Sequence, residues 1–350
     1  MRAFVGRADR RREPRPRARA DARDRHVPRQ LLLGERRAAR ALRRREGLGR
    51  RAARRALVHR DLHRDALDHA GQGRPRDAAG LLMPAPWESR KLLAGKTVVV
   101  TGCASGIGKE TARLAKALGA DVLGVDVRHT EEHVDELYVA DLTDRRTIQA
   151  LVRALPDGID GIANIAGLPP TAPAEKVLLV NFVGLKFFTE AMIPKLNEGA
   201  SIANLASLAG FFWADAVPAV RAAQDLAFED VAQFVRDWRV GNEGGRSYFF
   251  SKEALIVWTM RNRWTWRDRG IRMNCVSPGQ VDTPILRDFV ETLGPRAEED
   301  MRVMDRPGRP EDVAPVVCFL LSDMSRWLRG ANLAADGGMS SHILCEQHGL

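Results

Sequence analysis

Short apolar, β-branched runs recur along residues 96–336, and most are followed by stretches with apolar residues at helical spacing. Lys96-Thr97-Val98-Val99-Val100 and Asp121-Val122-Leu123-Gly124-Val125-Asp126 are continuous rather than alternating, the pattern of strands covered on both faces. Strands are predicted near 96–100, 121–126, 136–140, 159–165, 200–206, 271–277 and 331–336, with helices between most of them. Strands that alternate with helices imply parallel pairing, and right-handed crossovers then give an α/β fold, a doubly wound seven-stranded parallel sheet with helices on both faces. In such a sheet ligands bind at the carboxyl ends of the strands. Thr101, Asp126, Asp141, Asn164, Ser207 and Pro278 lie at those ends.

The first predicted strand runs into Thr101-Gly102-Cys103-Ala104-Ser105-Gly106-Ile107-Gly108, and a helical stretch follows from Lys109 to Leu118. Strand, glycine turn and helix in that order form a pyrophosphate site of the Rossmann type. Gly102 permits the tight turn, Gly106 lets the backbone approach the phosphates, and Gly108 allows the helix to pack close to the sheet. The second strand ends in Asp126, a carboxylate placed to hold the adenosine ribose hydroxyls; a strand-terminal aspartate that caps a loop is the alternative.

Farther along, Tyr248 and Lys252 stand four residues apart in Ser247-Tyr248-Phe249-Phe250-Ser251-Lys252, which puts a phenol and an ammonium on one helix face. A phenol near pKa 10 is a poor base at neutrality, and a neighbouring cation lowers that value. The pair is therefore a candidate proton-transfer device.

The glycine turn, Asn164-Ile165-Ala166-Gly167, Asn181, Ser207, Tyr248-x-x-x-Lys252 and Pro278-Gly279 occur in the order found in short-chain dehydrogenases/reductases. The chain resembles that family from about Leu92 to about Ser341. Within the family, Lys252 to Trp258, Arg272 to Val276 and Ser325-Arg326-Trp327 look most like the coniferyl-alcohol group, and the 3α-hydroxysteroid dehydrogenase/carbonyl reductase group is also similar. The resemblance implies a catalytic set of Asn181, Ser207, Tyr248 and Lys252, with Tyr248 as acid/base and Ser207 on the substrate oxygen. It implies that Asn181 kinks its helix and orders a water leading to the lysine; a plain structural role is the alternative. Cofactor contacts are implied for Gly102, Ser105, Gly106, Ile107, Gly108, Asp126, Asp141, Leu142, Asn164, Ala166, Gly167, Tyr248, Lys252, Pro278, Gly279, Val281 and Thr283, although the counterpart of Asn164 mainly stabilises the central sheet. The cofactor is expected to be NAD rather than NADP, because Asp126 would repel a 2′-phosphate, with Arg128 the residue most able to upset that preference. A lid is expected from Pro284 to about Arg306. The expected substrate is a small-molecule alcohol or carbonyl, of the coniferyl type before a 3α-hydroxysteroid, and the expected assembly a homodimer or other homo-oligomer.

Ser207 and Tyr248 are 41 positions apart, a wider spacing than most of the family uses, so an insertion of roughly 28 residues sits beside the site, within about 211–245. Two stretches in it, Val220 to Leu226 and Val231 to Trp238, have helical spacing. The same insertion marks the two groups named above. Phe211, Phe212 and Trp213 either line an apolar pocket or form a satellite core cluster.

A net charge of +10 would ordinarily raise a nucleic-acid or acidic-membrane partner. The charge is unevenly divided. Residues 1–90 hold 26 arginines, no lysine and 11 acidic residues, while residues 91–350 carry five more acidic than basic side chains. The first segment has too little apolar content for a core of its own and is expected to be disordered or marginally helical. Either it is a basic arm or it is translated from upstream of a start at Met83; exclusion of lysine favours the second. A dinucleotide-sensing nucleic-acid binder is the rival of a different class, but a sensor has no use for Ser207, Tyr248 and Lys252 together. No apolar run was expected to reach the roughly 18 residues of a membrane span. Cys103, Cys275, Cys318 and Cys345 lie in no Cys-x-x-Cys pair, so neither a disulfide framework nor a metal site is expected, each thiol reads as a small buried hydrophobe, and a reduced, cytoplasmic protein follows.

Overall fold

The structure, a computed structural model, describes residues 91–350; the expectations for residues 1–90 lie outside them. Strands β1 (Thr97–Thr101), β2 (Asp121–Asp126), β3 (Glu136–Val139), β4 (Ile159–Asn164), β5 (Leu196–Leu205), β6 (Arg272–Pro278) and β7 (Asn332–Ala335) form one seven-stranded sheet. Its order is β3-β2-β1-β4-β5-β6-β7, and every neighbouring pair is parallel. The order reverses between β1 and β4, which opens the crevice where a doubly wound sheet takes its ligand.

Alternate side chains of each strand point to opposite faces. Val99 joins Leu123, Val125, Ile162 and Ile202 in one core cluster, while Val98 and Val100 join Val122, Ala163 and Ala203 in another. The second cluster is closed by α1 (Gly106–Ala117) and α10 (Pro310–Leu321) through Ala112, Ala115, Val317 and Leu321. The first is closed by α2 (Arg145–Ala154), by α3 (Ala174–Leu178) and α4 (Leu185–Met192), and by α7 (Arg246–Arg261). Fully buried Ile148, Phe182, Phe188, Phe250 and Leu255 fill that layer, each worth about 1.5–3 kcal/mol relative to exposure.

The insertion is part of this layer. It carries α5 (Val217–Ala223) and α6 (Val231–Asp237), and its Val220, Ala223, Val231, Phe234, Val235 and Val240 are buried in the same cluster. The ring of Phe234 lies 5.5 Å from that of Phe250 on α7. Of the aromatic trio at its start, Trp213 packs against the core and Phe211 meets Phe212 edge to face.

Two expectations need correction. The stretch Ala174–Lys195 is a helix of 22 residues whose mean hydropathy of 1.5 makes it long and apolar enough to cross a membrane by length and composition. Its hydropathy has a different cause here, because Val177, Leu178, Phe182, Val183, Phe188 and Met192 are buried in protein beneath the sheet. Likewise Cys103, Cys275 and Cys318 are buried thiols, but Cys345 is exposed on the last helix.

Candidate active site

The turn after β1 is built on steric necessity. Gly102 and Gly106 have φ of +74° and +54°, a region that L side chains avoid. A Cβ on Gly102 would fall 2.9 Å from the Ala166 backbone, and one on Gly108 would fall 2.0 Å from the Gly102 carbonyl oxygen. Helix α1 thus starts in contact with the strand. Its cap residue Ser105 makes no side-chain bond to the helix, and its first turn holds no acidic residue. Helix N-termini of this kind expose amide donors and a positive dipole end to an anion.

Asp126 at the end of β2 is buried, accepts hydrogen bonds from the Ala104 and Arg128 amides at 3.0 Å each, and lies 3.7 Å from the Arg128 guanidinium. Arg128 also donates to Ser105 Oγ at 2.6 Å. A cavity of about 570 Å³ runs over the turn, and Gly102, Ser105, Gly106, Ile107, Gly108, Asp126, Asp141, Leu142, Ala166 and Gly167 all line it. The glycine-floored shape, with the Asp126 carboxylate at one side, fits a dinucleotide.

A second cavity of about 610 Å³ adjoins the first, sharing Ile107, Gly167, Leu205 and Thr283 with it. Ser207, Tyr248, Lys252, Pro278, Gly279 and Val281 line this one. Ser207 follows β5 and hydrogen-bonds the Tyr248 hydroxyl, and both residues are drawn together because α7 packs across the end of that strand. Tyr248 is 8 % exposed, and burial pushes its phenol up to about 12, opposed by the Ser207 bond. Lys252 is 4 % exposed; burial pushes its ammonium down to about 8, the Cys275 thiol opposing. Its Nζ sits 5.4 Å from the centre of the tyrosine ring and donates to the Leu205 carbonyl at 2.7 Å. In this site burial outweighs the lowering of the tyrosine's pKa expected from Lys252. Desolvation favours the neutral form of both groups, yet an ammonium at about 8 still holds its proton at neutral pH and can offset the charge of a phenolate.

Asn181 occupies a π-helical stretch, Leu179–Gly184, between α3 and α4. Its Oδ1 accepts from the Leu168 amide at 2.7 Å, and its Nδ2 donates to the Leu168 carbonyl at 3.1 Å and Ser251 Oγ at 3.3 Å. A π-helical turn stands where the kink was expected, and the amide ties the loop after β4 to the catalytic helix, with Ser251 rather than Lys252 as its partner. Asn164 lines neither cavity. It donates to Thr189 Oγ1 at 2.9 Å and to Asn204 Oδ1 at 2.8 Å, and Asn204 donates to Thr259 Oγ1 at 2.9 Å. Its placement among cofactor contacts is corrected: Asn164 lies one layer below, in a buried polar chain that joins two strands and two helices.

The stretch expected as a lid folds as α8 (Leu286–Leu293) and α9 (Pro295–Val303), which roof the second cavity through Leu286, Phe289, Leu293, Asp300 and Val303. Of Phe211, Phe212 and Trp213, Phe212 alone lines it. Phe249, Phe289 and, from α11 (Met339–His348), His342 and Ile343 complete the wall and were not foreseen. Phe249 was readable as the neighbour of Tyr248; nothing in the pattern of α11 marks it as a pocket wall. Among the described residues no group of histidine, cysteine and acidic side chains is arranged to hold a metal ion.

The fold and this constellation define a dinucleotide-binding oxidoreductase, and comparison with known proteins gives the family. Residues 96–223 match the short chain dehydrogenase family and residues 234–340 match the Enoyl-(Acyl carrier protein) reductase family. The chain is 39% identical over 252 residues to a coniferyl-alcohol dehydrogenase from Pseudomonas sp. (strain HR199 / DSM 7063), covering 71% of this chain and 98% of that protein. It is 29% identical over 254 residues to a 3-alpha-hydroxysteroid dehydrogenase/carbonyl reductase from Comamonas testosteroni, covering 70% of this chain and 96% of that protein. Among solved structures it is similar to the 3-alpha-hydroxysteroid dehydrogenase from Pseudomonas sp. B-0831 complexed with NADH, at 26% identity and a TM-score of 0.61 over 71% of this chain and 98% of that one. The chain belongs to the short-chain dehydrogenase/reductase family.

Proposed function

We propose that the protein is an alcohol dehydrogenase or carbonyl reductase that moves hydride between NAD(H) and an aromatic alcohol/aldehyde pair of the coniferyl type. The observation that carries this reading is that Ser207, Tyr248 and Lys252 together line the cavity that adjoins the glycine-floored one. Bound NAD supplies the hydride acceptor. Oxidation then requires the chain to accept the hydroxyl proton as the carbinol carbon loses hydride, and Tyr248 in its phenolate form is the acceptor. Ser207 holds the substrate oxygen and steadies charge that develops there. Lys252, whose ammonium stands 5.4 Å from the centre of the ring, offsets the charge of that phenolate, and reduction runs the same steps backward.

NAD is preferred to NADP in this reading because a 2′-phosphate would meet the buried Asp126 carboxylate, although Arg128 stands beside it. The apolar wall of Leu208, Phe212, Phe249 and Phe289 suits a flat aromatic ring. Helices α8 and α9 act as the lid. Copies of the chain associate as a homodimer or larger homo-oligomer, for which the exposed Trp327 and Met324 offer apolar surface. A cytoplasmic setting accords with free thiols at all four cysteines. A 3α-hydroxysteroid is the second reading, favoured by a cavity of about 610 Å³. Comparative kcat/KM for coniferyl alcohol and a 3α-hydroxysteroid, each with NAD and NADP, tests the proposal. Coniferyl alcohol with NAD is expected to lead; a steroid advantage of about tenfold, roughly 1.4 kcal/mol in the barrier, would reverse the substrate ranking.

A further inference from the structure

We propose that Phe289 is a positioning residue for Tyr248, seated on the tyrosine ring by a latch between Asp288 and Thr171. This inference rests on Tyr248 being the acid/base of the proposed reaction.

The rings of Tyr248 and Phe289 stand 4.9 Å apart at an interplanar angle of 87°, the edge-to-face arrangement that aromatic quadrupoles favour. The contact joins elements with no shared backbone bond: Tyr248 lies on the catalytic helix and Phe289 on α8, the first helix of the roof. One residue earlier on α8, Asp288 accepts a hydrogen bond from the Thr171 hydroxyl in the loop after β4. One turn later, Thr292 Oγ1 donates to the Asp288 carbonyl at 2.7 Å. The same place is crowded from below. Gly245, just before the catalytic helix, has φ of +74°, and a Cβ there would fall 3.1 Å from Thr292 and 3.3 Å from Pro170 and the Phe249 ring. Asn242 at the end of the insertion donates to the Pro170 carbonyl at 3.0 Å. Roof helix, loop and insertion thus converge on the segment that carries Tyr248.

A phenol turns about two single bonds, and a hydrogen bond at its tip does not fix the plane of its ring. Ser207 holds the tip, and Phe289 supplies the side contact that sets the plane while keeping water from the ring. Lys252 stands beside the phenol from its own helix, with the Cys275 thiol behind it, pushed up to about 12 by burial, while the roof brings Arg296, Glu299 and Asp300 and the last helix His342 and Glu346 to the same cavity. From α8 the residue next to Phe289, Asp288, is engaged by Thr171. Removing Phe289 therefore acts on the tyrosine through hydration and orientation. The burial that raises the phenol is relieved, and its pKa falls.

The test is the pH dependence of kcat and kcat/KM for coniferyl alcohol oxidation by Phe289→Ala, Phe289→Leu, Phe289→Tyr, Asp288→Ala and Tyr248→Phe, with NAD affinity measured by fluorescence. Phe289→Ala is expected to lower kcat by about tenfold and to move the rising limb of the kcat/KM profile to lower pH by about half a unit or more. NAD affinity should stay within about twofold. Asp288→Ala should move the limb in the same direction by less, and Phe289→Tyr should restore it. Phe289→Leu fills most of the volume and serves where the alanine variant folds poorly; it too should move the limb. A change in KM with the limb unmoved in both variants would overturn the proposal, leaving Phe289 as a wall for substrate. Full turnover in folded Tyr248→Phe would instead overturn the acid/base reading itself, a separate result from the same series.

Discussion

The two cavities meet at one edge of the sheet yet are built by different rules. The floor of the dinucleotide cavity is backbone: Gly102, Gly106 and Gly108 stand where a Cβ would collide or where φ is positive, and Asp126 is fixed by two amides. The walls of the neighbouring cavity are side chains gathered from β5, the insertion, α7, α8, α9 and α11. A backbone-built site tolerates little variation because steric limits are absolute. A site built from side chains can change its shape by changing residues, with the sheet left intact.

The sharpest way to separate the two halves is Tyr248→Phe. It should lower turnover by on the order of a hundredfold or more while leaving NAD affinity near that of the parent, because it deletes only the hydroxyl at the junction. Steady-state kinetics beside a cofactor titration check this, and a matching loss of NAD affinity would mean the cavities are not separable. Asp126→Ala should act on the other half alone. The ratio of kcat/KM for NAD over NADP is expected to fall by about tenfold, with the ranking of alcohol substrates unchanged. The smallest effect concerns stability. Lys252 is held at about 8, below its ordinary 10.5, so between those values the unfolded chain binds the extra proton and folding stability rises with pH. Tyr248, held up at about 12, acts in the opposite sense only above about pH 10. Thermal melts between pH 8 and 10 should therefore show the parent gaining on Lys252→Met by on the order of 1–3 kcal/mol; parallel curves would show that the lysine is not desolvated.

The same division explains what was legible in the sequence. Strand positions, the parallel doubly wound sheet and the glycine turn could be read because apolar continuity and steric exclusion leave local marks. Observed β1, at 97–101, lies one residue from its predicted 96–100, and β2 coincides with its predicted span. The substrate walls left no such mark. Phe289 faces Tyr248 across 41 positions of chain, and His342 reaches the cavity from the last helix; neither relation has a period to detect. Asn164 misled for the opposite reason: its position at a strand end is shared with true ligand contacts, and only the neighbours Thr189 and Asn204 reveal that its amide is consumed within the sheet layer. Lys252 was assigned a charge effect on Tyr248 that burial of the phenol outweighs, and burial is a property of the assembled fold.

The π-helical stretch Leu179–Gly184 has a consequence for length variation. A π turn carries one residue more than the α-helix around it, and one residue is about 100° of helical phase. The helix is thus a spliced rod whose two halves keep separate bookings: Val177 and Leu178 on one side of the splice, Phe188 and Met192 on the other, all buried. Deleting a single residue between 179 and 184 would remove the extra residue, restore ordinary pitch locally and leave every later apolar side chain in phase with the layer it fills. The segment that offers Asn181 to the catalytic helix is thus the place where this helix can lose one residue with its buried face intact, and the contacts of Asn181 with Leu168 and Ser251 are what such a deletion would cost.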